Sequence, residues 1–339
     1  MFCHIVPCVY LKSWKIKSTK NSIYIFEKDK IEADGVQKNI SNLKGTGFGE
    51  MNFYYLKIES CNNRIYDNFF YSLFTYLNND YVMEFKGNVI VDPGMFRIIY
   101  LDKYDDLVIK RRIDNKVIDN SSIIFLVNKL WNNEQKKYIE NFLSREVESK
   151  WNIFLSSINQ INGNFVIDNS LKEYIMLFIS TQLFRNGKII TLKLNELLSN
   201  FNNYKERMSG IQNDLLIDTF YEFIHDYDTK NLSSTNIIYN TFLNLINSVW
   251  NYTFYINNGD CFLVSDNPIF VDSYLTDDES IFLPISPKIC LQISLSKNHS
   301  VNIKHIDSYN VRNLNSLIIK NSIKNIAFYK KNIDASLYK

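Results

Sequence analysis

At 339 residues, 46% hydrophobic and 22% charged, the chain has the proportions of an ordinary globular protein, long enough to bury roughly three quarters of its unfolded surface in one large domain or two smaller ones. Its formal net charge is only +2, but residues 1–20 hold four lysines and no acid, and 297–339 hold eight Lys or Arg against Asp307 and Asp334. No stretch approaches the about 18 uninterrupted apolar residues of a bilayer span, since even the run 121–127 stops at Asn128 and Lys129, and no membrane association is expected.

The chain opens with Met1-Phe2-Cys3-His4-Ile5-Val6-Pro7 and places Lys12, Lys15, Lys17 and Lys20 downstream. That order reverses a secretory signal, so cytoplasmic residence is the expectation. The five cysteines are scattered, with no Cys-x-x-Cys pair, which points to reduced thiols. Apolar alternation predicts strands at 22–27 and 52–58, a helix at about 65–78, and a strand series from Tyr81 to Val127 with turns at Lys86-Gly87-Asn88 and Asp92-Pro93-Gly94. From Asn132 the period changes. Ile139, Phe142, Leu143, Val147, Trp151, Phe154, Leu155 and Ile158 recur three and four residues apart, one face of a long amphipathic helix.

Further helices are predicted near 170–186, 190–206, 212–226 and 234–250. Strands return at 252–256, 261–265, 280–285, 289–294 and 301–306, before a helix near 308–322 and a last strand at 325–329. The reading is α+β: a β-rich N-terminal part, a central helical bundle, and C-terminal strands returning to a shared, mostly antiparallel sheet. No repeat or Gly/Ser-rich boundary interrupts it, and a single domain over 1–339 is expected.

Several polar residues are hard to explain as surface. Gln182 falls inside the stripe Leu171, Ile175, Phe178, Ile179 and Leu183 at about 100° per residue, and Arg185 lies at its edge. A buried amide needs a partner or costs about 1–3 kcal/mol, so Gln182 belongs to a structural network or to a site. Glu146 and Glu148 flank the apolar stripe of the preceding helix, where one can lean inward as an acid or base and the other stay wet. In Phe262-Leu263-Val264-Ser265-Asp266-Asn267-Pro268 an apolar run delivers an acid to what reads as a strand end. Asp266 is there either a site carboxylate or the cap of an Asx-type turn. His4, His225, His299 and His305 form no metal-binding or nucleophilic motif, and no phosphate-binding glycine loop is present.

Six short motifs in order resemble the bacterial domain-of-unknown-function family DUF4238. The N-terminal element is carried by His4, Pro7, Tyr10, Leu11 and Trp14, and Asn52-Phe53-Tyr54 follows. Glu148-Ser149-Lys150-Trp151 supplies a helical acid, and Gln182 and Arg185 a Gln-x-x-Arg. Trp250, Ser265 to Pro268, Pro284-Ile285-Ser286-Pro287, Asn315 and Asn321 complete the tail. Two departures stand out: the segment 55–130 is longer than the family pattern and reads as a β-rich insertion with its own protein partner, and Asn186 replaces a common Thr.

The resemblance implies no established activity. It implicates His4, Glu148, Arg185 and Asp266 as one polar set, with Gln182, Ser265 and Asn267 as ligand-binding neighbours. Two readings follow. The first is a hydrolase acting on nucleic acid or a nucleotide, as a toxin or antiphage effector, with a divalent metal admitted and the basic ends lining a phosphate surface. The second is a binding or sensor module in which the same residues form a buried structural network.

Overall fold

The computed structural model describes residues 2–4, 6–16, 22–28, 38–42, 49–51, 65–159, 165–185, 213–257, 259–272 and 280–328. The chain divides into two compact units: Met1–Phe53 with Leu143–Gly210 and Lys230–Lys339, and Tyr54–Phe142 with Ile211–Thr229. The smaller unit thus extends past the segment 55–130, taking in the rest of one long helix and a second helix from the middle of the chain.

In the larger unit, β1 (Phe2–His4) leads into the single turn α1 (Cys8–Leu11), which follows Pro7 and is prolonged by a 3-10 turn at Lys12–Trp14. Proline suits that position because its missing N–H has no helical partner to lose. β2 (Ser22–Glu27) pairs antiparallel with β3 (Lys38–Asn42), and β4 (Gly49–Met51) pairs antiparallel with β1. The strand expected at 52–58 and the helix expected at 190–206 lie outside the described residues.

The smaller unit is more helical than its sequence suggests. After α2 (Ile65–Asp80), β5 (Tyr81–Phe85) and β6 (Asn88–Val89) form a hairpin whose two turn residues, Lys86 and Gly87, both have positive φ (50° and 80°). That is the turn hand that matches the twist of a hairpin. The expected strand series is interrupted there. Residues 93–102 form α3 (Pro93–Asp102): Asp92 caps it by accepting from Met95 N at 2.6 Å, and Pro93 occupies its first turn. The Asp-Pro-Gly signal is a helix start as readily as a turn, because proline at the first helical position forfeits no hydrogen bond.

After β7 (Leu107–Arg111), antiparallel to β5, the apolar run 121–127 is likewise helical, inside α4 (Asn120–Phe142). Aromatic rings fill this unit: Phe69 on Trp131 at 4.5 Å, Phe70 and Phe74 on Phe96, and Phe142 on Phe223 and Tyr227 of the helix Asn213–Thr229.

The long helix predicted across 132–158 is interrupted by a π-helical stretch, Leu143–Glu148, before α5 (Ser149–Asn159). Next, α6 (Asn169–Arg185) is buried continuously from Tyr174 to Gln182, and it packs against α7 (Ile237–Asn247), which Asn236 caps through Ile238 N and Tyr239 N.

The strands that follow are β8 (Trp250–Ile256), β9 (Val264–Ser265), β10 (Phe270–Asp272), β11 (Ser280–Ser286), β12 (Ile289–Leu295) and β13 (Ser300–His305). Five of them form a sheet in the order β10-β11-β12-β8-β13, antiparallel except for β13 on β8. The chain closes with α8 (Ser308–Asn321), capped by Asp307, and β14 (Asn325–Phe328). β14 enters a second sheet, β3-β2-β14-β9, so strands from both ends of the chain share one antiparallel sheet, as the α+β reading expected.

Val311, Leu314, Ile318 and Ile319 of α8 lie in one buried cluster with Tyr255, Phe282 and Cys290 of the first sheet and Phe26, Ile326 and Phe328 of the second. α8 therefore joins the two sheets through a common core. Among the described residues, no helix is long and apolar enough to cross a membrane.

Candidate functional site

The segment that delivers Asp266 is not a strand along its whole length. Only Val264–Ser265 enters a ladder, on β14. Residues 261–263 are buried and outside any ladder, so their peptide groups need other partners. Asn315 supplies two of them: its Oδ1 accepts from Leu263 N at 2.8 Å and its Nδ2 donates to the Cys261 carbonyl at 2.9 Å. The Trp14 indole donates to the Phe262 carbonyl at 2.9 Å, and Phe262 N donates to Pro287 O at 2.9 Å. Two side chains thus do the work of a neighbouring strand. The predicted strand at 261–265 is shortened for that reason.

Asp266 itself is 6% exposed. Its Oδ1 accepts from Ile323 N at 2.8 Å, and its Oδ2 from Lys324 N at 2.8 Å and Asn325 N at 2.7 Å, while its own N–H donates to Asn325 O at 3.0 Å. The carboxylate therefore clamps the corner between α8 and β14. It is a cap, but of a main chain some sixty residues downstream rather than of its own loop. Burial raises the carboxyl above its ordinary range, against the pull of the three N–H donors, which favour the charged form. Ser265 Oγ donates to Asn267 O at 2.6 Å and accepts from Asn267 N at 3.2 Å, closing a local turn. Asn267 Nδ2 donates to the Asn321 carbonyl at 2.9 Å, at the end of α8. Just past the end of β2, Lys28 Nζ donates to the Lys320 and Ser322 carbonyls, a cation where the helix dipole is negative.

The N-terminal element enters through its aromatic members. Tyr10 is fully buried, its ring 5.3 Å from Trp14, 4.9 Å from Trp151 of α5 and 5.6 Å from Phe178 of α6. Its hydroxyl donates to the Pro284 carbonyl of β11. Burial, with a smaller contribution from Cys290, pushes the Tyr10 phenol well above its ordinary range, so it stays a neutral donor. The N-terminal element, the Glu148–Trp151 motif and the Pro284–Pro287 motif thus meet at this one side chain.

Of the remaining candidates, His4 lies on β1 opposite Gly49, and Arg185 is the last residue of α6; their side chains lie outside the described residues. Gln182 is fully buried, as its place in the stripe requires. Glu146 is paired with Arg145 at 2.6 Å and Lys150 at 2.7 Å. Burial pushes its carboxyl up, but the hydrogen bonds from Lys150 and Arg145 outweigh it and hold the pKa below the usual value. Glu148 is half-buried, on the last residue of the π-helical stretch. Its charge adds to burial in raising the phenol of Tyr174, which donates to the Val147 carbonyl at 2.9 Å. Among the described residues no three His, Cys, Asp or Glu side chains are grouped to hold a metal ion.

Asn315 was legible only as a motif position, although the argument that found Gln182 also applies to it. It lies within the apolar stripe Val311, Leu314, Ile318 and Ile319, and is fully buried there.

Fold and site together define an α+β protein in which the motif side chains of Tyr10, Trp14, Asp266, Asn267 and Asn315 bind its own main chain. The chain belongs to the family described as Protein of unknown function (DUF4238), whose model matches residues 4–332. No curated protein and no solved structure matches it.

Proposed function

We propose that the protein is a binding or sensor module in which the family's polar residues stabilise the fold, and that it meets a protein partner through the unit built on Tyr54–Phe142. One observation carries this reading: both oxygens of the Asp266 carboxylate are occupied by the three N–H groups of 323–325. A carboxylate so engaged has little capacity left to ligate a metal or take a proton from a substrate. Asn315, Trp14 and Tyr10 are likewise bonded to main chain. Asp266→Ala and Gln182→Ala are expected to lower the melting temperature by several degrees.

A second reading keeps the hydrolase. Glu148 supports it: half-buried on a π-helical turn, a feature frequent at functional sites, it has neither a hydrogen bond nor an ion pair among the described residues. Lys320 and Lys324 of the basic C-terminal segment are also exposed beside Lys28, a cluster that a phosphate group could meet. Incubating the purified protein with RNA, DNA and nucleotides, with and without divalent cations, separates the readings. No turnover is expected; turnover abolished by Glu148→Gln without a change in melting temperature would replace the first reading with the second.

A further inference from the structure

We propose that the five-stranded sheet carries, on the face it shares with α8, a binding site for a neutral saccharide. The inference rests on the binding-module reading and names a ligand for it. Side chains alternate along a strand, so residues in one register row of a sheet share a face. Tyr255, Phe282 and Cys290, in the core cluster with α8, mark the face in question. On that face one row runs Asp272, Ser280, Ser294, Asn251 and Ser300, a polar residue from each of the five strands. The next runs Phe270, Phe282, Gln292, Thr253 and Asn302, polar over its last three strands. The row between them faces the other way, and its members Val271, Ile281, Ile293, Tyr252 and Val301 carry no polar group except one phenol.

Solvation does not account for the patch. Its floor is buried, with Ser280 1%, Gln292 3% and Thr253 7% exposed, while Ser294, Asn251 and Ser300 are half-buried and Asn302 is exposed at the rim. Both carboxamide oxygens are taken: the Tyr255 hydroxyl donates to Gln292 Oε1 at 2.6 Å, and Ser300 Oγ to Asn251 Oδ1 at 2.6 Å. Four groups are left without a partner among the described residues: the NH2 of Gln292, buried, the NH2 of Asn251, and the hydroxyls of Thr253 and Ser294. They form a square, because Thr253 lies opposite Gln292 and Asn251 opposite Ser294. A buried donor without an acceptor costs stability until a ligand atom meets it.

The chemistry of the square selects the ligand. With their oxygens engaged, neither carboxamide can make the paired donor and acceptor contacts that a nucleobase or peptide edge requires. What remains is two donors and two hydroxyls that give or accept. Neighbouring strands are about 4.8 Å apart, so these groups are met by oxygens carried on different carbons of one ring. An anion would find no cation in either row and would have Asp272 at the end of one. A saccharide, uncharged and lined with hydroxyls, satisfies all four.

Titration of the full chain with glucose, galactose, mannose, N-acetylglucosamine and their common disaccharides, read by saturation-transfer NMR and calorimetry, tests this. At least one is expected to bind saturably, and Thr253→Val, Ser294→Ala and Gln292→Leu each to weaken it by about tenfold, the loss of one hydrogen bond. Ser156→Ala, at an exposed hydroxyl on α5, should leave binding unchanged. Adenosine and inorganic phosphate should not bind. A wild type that binds none of the saccharides, or variants at Thr253 and Ser294 that bind as well as the wild type, overturns the proposal. Saturable binding of adenosine or phosphate that Thr253→Val abolishes overturns the assignment to a saccharide. Should Gln292→Leu fail to fold, since it takes the acceptor from the Tyr255 hydroxyl, Thr253→Val and Ser294→Ala decide. An absence of binding removes this site and leaves the melting test of Asp266 untouched, so the two failures are distinguishable.

Discussion

Replacing Asp266 with alanine removes one carboxylate and strands three main-chain donors, Ile323 N, Lys324 N and Asn325 N. Hydrogen bonds to a charged acceptor contribute about 1.5–3 kcal/mol each, and an orphaned buried donor costs about 1–3 kcal/mol. Ile323 and Lys324 are exposed residues, so water recovers part of that loss, and the raised carboxyl shows that burying the charge offsets more. About 1 kcal/mol per bond leaves a net cost of about 3 kcal/mol, a fall in melting temperature of about 5 °C for a chain of this length. Asparagine should fall between. Its single oxygen can take the Oδ2 position and keep Lys324 and Asn325, but its amide NH2 then faces the Ile323 N–H. Differential scanning calorimetry of the three proteins gives the expected order wild type, Asp266→Asn, Asp266→Ala. An alanine variant that melts at or above the wild-type temperature refutes the reasoning, since removal of a functional carboxylate can stabilise a protein and removal of this clamp cannot.

Asn315→Leu keeps the volume but orphans Leu263 N–H and the Cys261 carbonyl in a buried site, and should cost about 2–5 kcal/mol by urea denaturation. Tyr10→Phe leaves the Pro284 carbonyl without its donor and should cost about 1–2 kcal/mol. Because the folded pKa of Tyr10 is raised, this contribution is complete below the unfolded value near 10 and is lost only as pH rises through the folded pKa; the difference from wild type should be flat through neutral pH. Glu146 has the opposite sign. Its folded pKa is lowered, so what its pairing contributes is present above the unfolded value near 4.3 and disappears as pH falls through the folded one. The stability gap between wild type and Glu146→Gln should be small, about 0.5 kcal/mol, and should close on acidification.

Periodicity located most of the described elements, because burial of one face leaves its 3.6- or two-residue mark in any chain that makes a helix or a sheet. β2 falls on the predicted residues, and α6, α8, β8, β11, β12, β13 and β14 lie within a residue or two of theirs, while β9 keeps only two of its five predicted residues and β10 has no predicted counterpart. The failures have local causes. At Asp92-Pro93 a helix cap and a turn share one signal, and in the run 121–127 length alone separates a strand from a buried helical segment. The π-helical stretch keeps the apolar residues on one side while adding a residue to the turn, so the stripe continues through it without a break.

The chemistry of the motif residues was legible as residue type and order: an acid before Asn-Pro, an amide inside an apolar stripe, a tyrosine and a tryptophan four residues apart. Their partners were not. Asp266 reads equally as a site carboxylate or a local turn cap until the corner at 323–325 is laid against it, and Asn315 reads as a motif position without a role until the unladdered segment 261–263 passes its side chain. Local periodicity encodes which face of an element is buried, whereas the choice between a free acid and a satisfied one depends on backbone groups more than fifty residues away, which only the packed chain brings within 3 Å.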